Sequence, residues 1–217
     1  MELKVSGVGL SYGAQPVLDN VSFTLESNGK ALLLGPSGSG KSSLINVICG
    51  LQRPDSGAVV LGEDALASKD GVSKADKVRR RSIGIVFQTL RLVSALTVRA
   101  NLLLAQKLQT GMQDKELIDT TLDRLGIGER ANARPFELSQ GEAQRAAIAR
   151  ALVVKPALLI ADEPTSALDA ASAEKVAHLL IDVAENAGAS LLVATHDVRL
   201  QPFFERSLTL ESGRIAK

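Results

Sequence analysis

Apolar residues fall into three patterns along the chain. Near the N-terminus Leu3 and Val5, then Val21, Phe23 and Leu25, take alternate positions up to the turn Asn28-Gly29, which is the pattern of half-buried strands. Short continuous apolar runs recur further on, at Ala31-Leu32-Leu33-Leu34, Ala58-Val59-Val60-Leu61, Ile83-Gly84-Ile85-Val86-Phe87, Ala157-Leu158-Leu159-Ile160-Ala161 and Ser190-Leu191-Leu192-Val193-Ala194-Thr195. Each predicts a strand, and the run at 157–161 predicts one buried on both faces of a parallel sheet. Elsewhere the period lengthens. Val98, Leu102 and Ala105 share a helical face behind Thr97 as N-cap, and Leu117, Ile118, Leu122 and Leu125 share another that stops at Gly126. Ser139-Gln140-Gly141-Glu142 opens an alanine-rich helix, Ala143 to Val154, that has to end before Pro156. A further helix runs through Val176, Leu179, Leu180 and Val183, and a short helix near 198–204 with a hairpin over 208–215, turning at Ser212-Gly213, closes the chain.

This order predicts an α/β fold in a single domain spanning 1–217, with a core sheet, an N-terminal antiparallel β layer and an α-helical subdomain inserted at about 89–155. The stretch 63–81 is polar and carries Lys69, Lys74, Lys77, Arg79, Arg80 and Arg81. A solvated helix face is its first meaning, and a surface turned toward anionic lipid or a partner is its second.

Composition narrows the function classes. At 217 residues, 45% hydrophobic and 23% charged, the chain can bury a full core. A net charge of +1 with 3% aromatic residues leaves neither the basic excess nor the stacking platforms of a nucleic-acid partner, so none is expected. The one cysteine, Cys49, permits no disulfide within the chain and reads as a small buried hydrophobe. Met1-Glu2-Leu3-Lys4-Val5 lacks the apolar segment of a signal peptide, and no apolar stretch approaches a membrane span. The expectation is a cytoplasmic protein whose membrane role, if any, comes through another subunit.

The candidate chemistry centres on Gly35-Pro36-Ser37-Gly38-Ser39-Gly40-Lys41-Ser42, set between the apolar strand 31–34 and a helix that opens with Ser43-Leu44-Ile45. In a G-x-x-x-x-G-K-[ST] loop of this kind the glycines let backbone N–H groups turn onto phosphate oxygens, and the helix N-terminus faces the anion. Lys41 would then reach the β- and γ-phosphates of the nucleotide, and the Ser42 hydroxyl would ligate Mg²⁺. The strand 157–161 delivers Asp162 and Glu163 to the sheet's C-terminal edge. Two adjacent carboxylates there repel each other unless a cation and a substrate proton are close. Asp162 is therefore assigned to Mg²⁺, directly or through water, and Glu163 to the attacking water. Gln88 and His196 end two further apolar strands at the edge where α/β sheets bind ligands. Ser139 with Glu142 has the form of a capping box, useful for helix stability alone, and Asp169 reads as the cap of the next helix. Tyr12 is a packing residue at a strand end or an aromatic face for a base.

Taken in order, the phosphate loop, Gln88, Leu138-Ser139-Gln140-Gly141-Glu142, Asp162-Glu163-Pro164, Ser166-Ala167-Leu168-Asp169 and His196 resemble the ATP-binding cassette (ABC) family over nearly the whole chain. The resemblance implies a P-loop NTPase (RecA-like) core, ATP hydrolysis with Mg²⁺, and roles that spacing does not supply. Tyr12 matches the residue stacked on adenine, and Gln88 the glutamine that senses Mg²⁺ and links the site to the helical subdomain. Ser139 and Gly141 match signature groups that meet the γ-phosphate held by another subunit. Asp169 matches a residue crossing the dimer interface, and His196 one contacting the γ-phosphate. Gln140 departs from the usual glycine of Leu-Ser-Gly-Gly-Gln, whereas Gly141 is kept.

The resemblance also implies that one chain, with one phosphate loop and one signature, cannot complete a site. Two copies in a homodimer, or one copy and a homologue, would sandwich two ATP molecules head to tail. The stretches 81–88, 101–102 and 130–137 look most like the subfamily serving lipoprotein release, macrolide-type export and cell-division complexes, although Ser166-Ala167-Leu168-Asp169 has a form common among importers. In the transport reading an integral membrane permease inserts a helix near Gln88 to Leu96, and the cassette sits on the inner face of the cell membrane. The alternative is a regulatory ATPase that switches a protein partner and transports nothing.

Overall fold

The computed structural model describes residues 1–72, 74–166 and 168–216. Among these residues the strands build two sheets. β1 (Leu3–Tyr12), β2 (Gln15–Leu25), β4 (Ser56–Leu61) and β5 (Asp64–Ser68) form an antiparallel sheet in the order β2-β1-β4-β5. β3 (Lys30–Leu34), β6 (Ile83–Val86), β7 (Leu158–Asp162), β8 (Ser190–Thr195), β9 (Arg206–Glu211) and β10 (Arg214–Ile215) form the other, in the order β10-β9-β3-β8-β7-β6. Its pairs are parallel except for the terminal hairpin β9–β10.

The continuous apolar runs explain why this second sheet lies inside. Along β3, β7 and β8 alternate side chains enter two different cores. Leu33, Ile160 and Leu192 pack with the antiparallel sheet and α1 (Lys41–Ile48), and Leu32, Leu159 and Leu191 pack on the opposite face. That opposite face is covered by α3 (Val98–Thr110), α4 (Lys115–Arg124), α5 (Gln140–Leu152) and α6 (Ala170–Ala187), whose buried residues include Leu102, Ile118, Leu122, Ile148 and Leu180. Each such leucine or isoleucine contributes about 1.5–3 kcal/mol on burial, so the register of these strands is strongly fixed. The register aligns Leu34 with Thr195, Asp162 with Ala194, and Val86 with Ala161. The segments that leave β3, β6, β7 and β8 therefore emerge along one edge.

Most sequence expectations match these elements. Thr97 caps α3 by accepting from the Ala100 N–H at 3.2 Å, and Asp169 caps α6 by accepting from the Ser172 N–H at 3.0 Å. Gly188 ends α6 with a left-handed φ of 61°, a conformation that suits glycine. Cys49 is fully buried, and burial pushes its thiol up to about 12. Three expectations are corrected. The polar stretch 63–81 is not helix throughout, because Asp64–Ser68 adds to β4 as an edge strand before α2 (Ala75–Ser82) begins. The alanine-rich helix begins at Gln140 behind its expected Ser139 cap but ends at Leu152, short of the expected Val154. Tyr12 belongs to the end of β1 and is 52% exposed, so it is not a packing residue.

Candidate active site

A cleft of about 360 Å³ opens at the shared strand edge, lined by Tyr12, Val17, Ser37, Gly38, Gly40, Lys41, Ser42, Ser43, Gln88, Glu163 and His196. Its floor is the loop between β3 and α1. Gly38 and Gly40 adopt φ of 82° and 104°, values that an L side chain resists. A Cβ on Gly40 would also lie 2.9 Å from the Val17 carbonyl oxygen. Gly35, closer to the strand, is held by close packing instead, since a Cβ there would stand 2.4 Å from the Leu210 carbonyl oxygen. No side chain caps α1 at Gly40. The N-terminal N–H groups of that helix are thus open to an anion, and the buried Ser39 hydroxyl has no partner.

Lys41 is buried and folded back on its own loop. Its Nζ donates to the carbonyls of Gly35 at 2.7 Å and Pro36 at 3.1 Å, and it lies 3.3 Å from Glu163 Oε1. Ser42 Oγ donates to Asp162 Oδ1 at 3.4 Å. Burial chiefly, with the neighbouring Glu163 charge, pushes the Asp162 carboxyl above its usual range, although Ser42 and Lys41 pull it back. An anion in that situation is under-compensated. With the Ser42 hydroxyl it fits a hard cation that takes few protein oxygens and completes its shell with phosphate and water, as Mg²⁺ does.

Glu163 holds the site together. Its backbone is left-handed, with φ 49°, and its N–H donates to the Ala194 carbonyl at 2.8 Å. Such a conformation costs an L residue about 1–2 kcal/mol, and it directs the side chain back across the strand ends. Oε2 then accepts from Thr195 Oγ1 at 3.1 Å and from the His196 N–H at 3.4 Å, and lies 2.8 Å from His196 Nδ1. Gln88 Nε2 donates to Ser166 Oγ at 3.4 Å on the other side of the cleft.

The sequence-predicted residues thus divide into two groups. Tyr12, the loop from Gly35 to Ser43, Gln88, Asp162, Glu163 and His196 gather at one edge. Ser139, Gly141 and Asp169 do not line the cleft; Ser139 and Asp169 are the exposed caps of α5 and α6. Ala167, inside the expected Ser166-Ala167-Leu168-Asp169 motif, lies outside the described residues. Two residues of the site, the buried Thr195 and the cleft-lining Val17, escaped the sequence reading. Thr195 donates to Glu163 while accepting from the Asp197 N–H at 3.1 Å, and its place at the end of an apolar strand before His196 was the available signal. Val17, which walls the loop through Gly40, carried no signal beyond its strand.

The geometry agrees with what comparison finds. The sequence pattern of the family described as ABC transporter matches residues 18–166. The lipoprotein-releasing system ATP-binding protein LolD of Hydrogenovibrio crunogenus is 39% identical over 200 residues, covering 91% of this chain and 86% of that relative. The methionine import ATP-binding protein MetN of Mesorhizobium japonicum is 37% identical over 209 residues, covering 95% of this chain and 57% of that relative. Among solved structures, the dimeric bacterial ABC transporter cassette MJ0796 superposes with a TM-score of 0.87 at 32% identity, over 99% of this chain and 97% of that one. The same cassette in a dimeric post-hydrolysis state with ADP and Pi gives a TM-score of 0.87 at 33% identity, over the same shares of the two chains. The chain belongs to the ABC transporter family, as an ATP-binding and ATP-hydrolysing motor subunit.

Proposed function

We propose that two copies of this chain close head to tail around two ATP molecules and that each closing stroke works on an integral membrane permease. The observation that carries the reading is the division of the site. The cleft holds the phosphate loop, Glu163 and His196, yet Ser139, Gly141 and Asp169, the expected γ-phosphate and interface groups, lie outside it. A second subunit is the natural source of the missing groups, and a twofold axis supplies them to both sites at once.

Within each site, Tyr12 stacks on the adenine, and Gly35, Pro36, Ser37, Gly38, Ser39 and Gly40 wrap the phosphates with Ser43 at the helix start. Lys41 leaves Glu163 to meet the β- and γ-phosphates. Ser42, Asp162 and Gln88 hold Mg²⁺, whose charge offsets that of the phosphates. Glu163 orients the attacking water and accepts its proton, and His196 holds the γ-phosphate side. Thr195 keeps the Glu163 carboxylate in place.

Residues 89–155 act as the helical subdomain that carries the signature. A groove of about 370 Å³ runs between β6 and α3, with Leu51, Phe87 and Leu108 on its apolar surface and Arg79, Arg80 and Arg91 at its rim. This groove suits the permease helix expected near Gln88 to Leu96. None of the described helices is long and apolar enough to cross a membrane; the proposed peripheral place on the inner membrane face follows from the permease docking. LolD and MetN carry transport names, and we adopt transport over the partner-switch reading, with LolD-type mechanical transmission as the favoured form.

Glu163→Gln tests the reading. With ATP and Mg²⁺ the variant is expected to run at twice the monomer mass by light scattering, and persistence of the monomer would sink the sandwich.

A further inference from the structure

Glu142 ties together the start of α5. Its Oε2 accepts from the Ser139 N–H and from the Ser139 hydroxyl, both at 2.8 Å, while its Oε1 accepts from Arg130 Nε at 2.6 Å. The hydroxyl proton of Ser139 is therefore committed to a carboxylate of its own chain. A phosphate oxygen arriving from a second subunit has to take that donor away, and it has to do so beside an anion. Uncompensated, that like charge opposes closure.

The cation paired with Glu142 is Arg130. It sits at the end of a 3₁₀ turn, Gly128–Arg130, between the buried Ile127 and Ala131. Backbone bonds from Val98 to Ala133 and from Arg99 to Ala131, each 2.8 Å, fasten this segment to the start of α3. The arginine's base is thus fixed, although its side chain is half exposed at 51%. A pair this open adds little to folding. Its link to Ser139 through a single residue, with Glu142 bonded to both, suggests a different use.

We propose that Arg130 is a positioning residue of the shared ATP site. Acting through Glu142, it offsets the carboxylate charge where the partner's γ-phosphate arrives and leaves the Ser139 hydroxyl able to exchange one acceptor for another. The inference rests on the reading of Ser139 as a γ-phosphate ligand across the dimer.

The test measures, by light scattering in the Glu163→Gln background, the ATP concentration that gives half-maximal dimerisation. Arg130→Gln is expected to raise it by about tenfold at low salt and by less at high salt, because the repulsion it exposes is screened. Arg130→Lys should keep most of the wild-type affinity. Adding Glu142→Gln to Arg130→Gln should restore it, since the neutral amide still caps the helix and no bare anion remains. An unchanged midpoint in Arg130→Gln would overturn the proposal, as would a defect that Glu142→Gln does not relieve, which is the outcome of a purely structural role. Ser139→Ala separates the two levels. If it leaves dimerisation intact, the reading of Ser139 is wrong; if it impairs dimerisation while Arg130→Gln does not, only the role of Arg130 fails.

Discussion

Lys41 Nζ lies 3.3 Å from Glu163 Oε1, so the proposed phosphate-binding cation and the proposed catalytic base neutralise each other. On the proposed assignment ATP has to draw the lysine off the carboxylate before the phosphates are fully bound. Replacing Glu163 by Gln removes the competing charge. Glu163→Gln should therefore bind ATP at least as tightly as the native chain by calorimetry, while its turnover falls by about 10²–10⁴-fold. Weaker binding in that variant would show that the pair organises the loop and does not compete with nucleotide.

Asp162 gives a pH-dependent prediction with a definite sign. Its carboxyl is raised in the folded chain, chiefly by burial, so the native state holds this proton more tightly than the unfolded state does. Above the raised pKa the ionised group lowers stability, and this penalty is relieved as the pH falls through that value. Asp162→Asn should accordingly melt at a higher temperature than the native chain at neutral pH without nucleotide. The advantage should shrink on acidification. With ATP and Mg²⁺ the order should reverse, because the amide is a poor partner for the cation. Melting curves across pH, with and without Mg²⁺-ATP, check all three statements.

Much of this was readable from residue patterns because the site's elements announce themselves locally. The buried strands β3, β7 and β8 are runs of bulky apolar residues, and each chemically marked group follows one directly, so a one-dimensional pattern predicts a shared edge. β5 was missed for the opposite reason. Asp64-Ala65-Leu66-Ala67-Ser68 has a single bulky side chain, and pairing with β4 holds it. Strand pairing of that kind is set by tertiary context more than by propensity. The left-handed backbone of Glu163 and the bond from Thr195 were equally invisible, since both depend on how two strand ends meet. The ion pair between Arg130 and Glu142 joins residues twelve apart in sequence, across a turn whose geometry no local rule specifies.

The groove beside β6 predicts a separation of activity from coupling. Leu108 is 61% exposed on α3 and lies in that groove. Leu108→Asp should leave the ATPase activity and melting temperature of the isolated chain nearly unchanged. Recovery of the chain with its membrane subunit after detergent extraction should fall several-fold. Equal recovery would move the docking surface elsewhere.

The central claim is that each ATP site is shared between two chains, and mixing tests it most directly. Lys41→Ala keeps an intact signature beside a disabled phosphate loop, and Ser139→Ala has the reverse arrangement. Each variant alone should be inactive. In an equal mixture half of the dimers are mixed, and each of those has one fully native site of two, so about a quarter of wild-type hydrolysis should return. Absence of recovery in mixtures shown by differential tagging to contain mixed dimers would contradict the account.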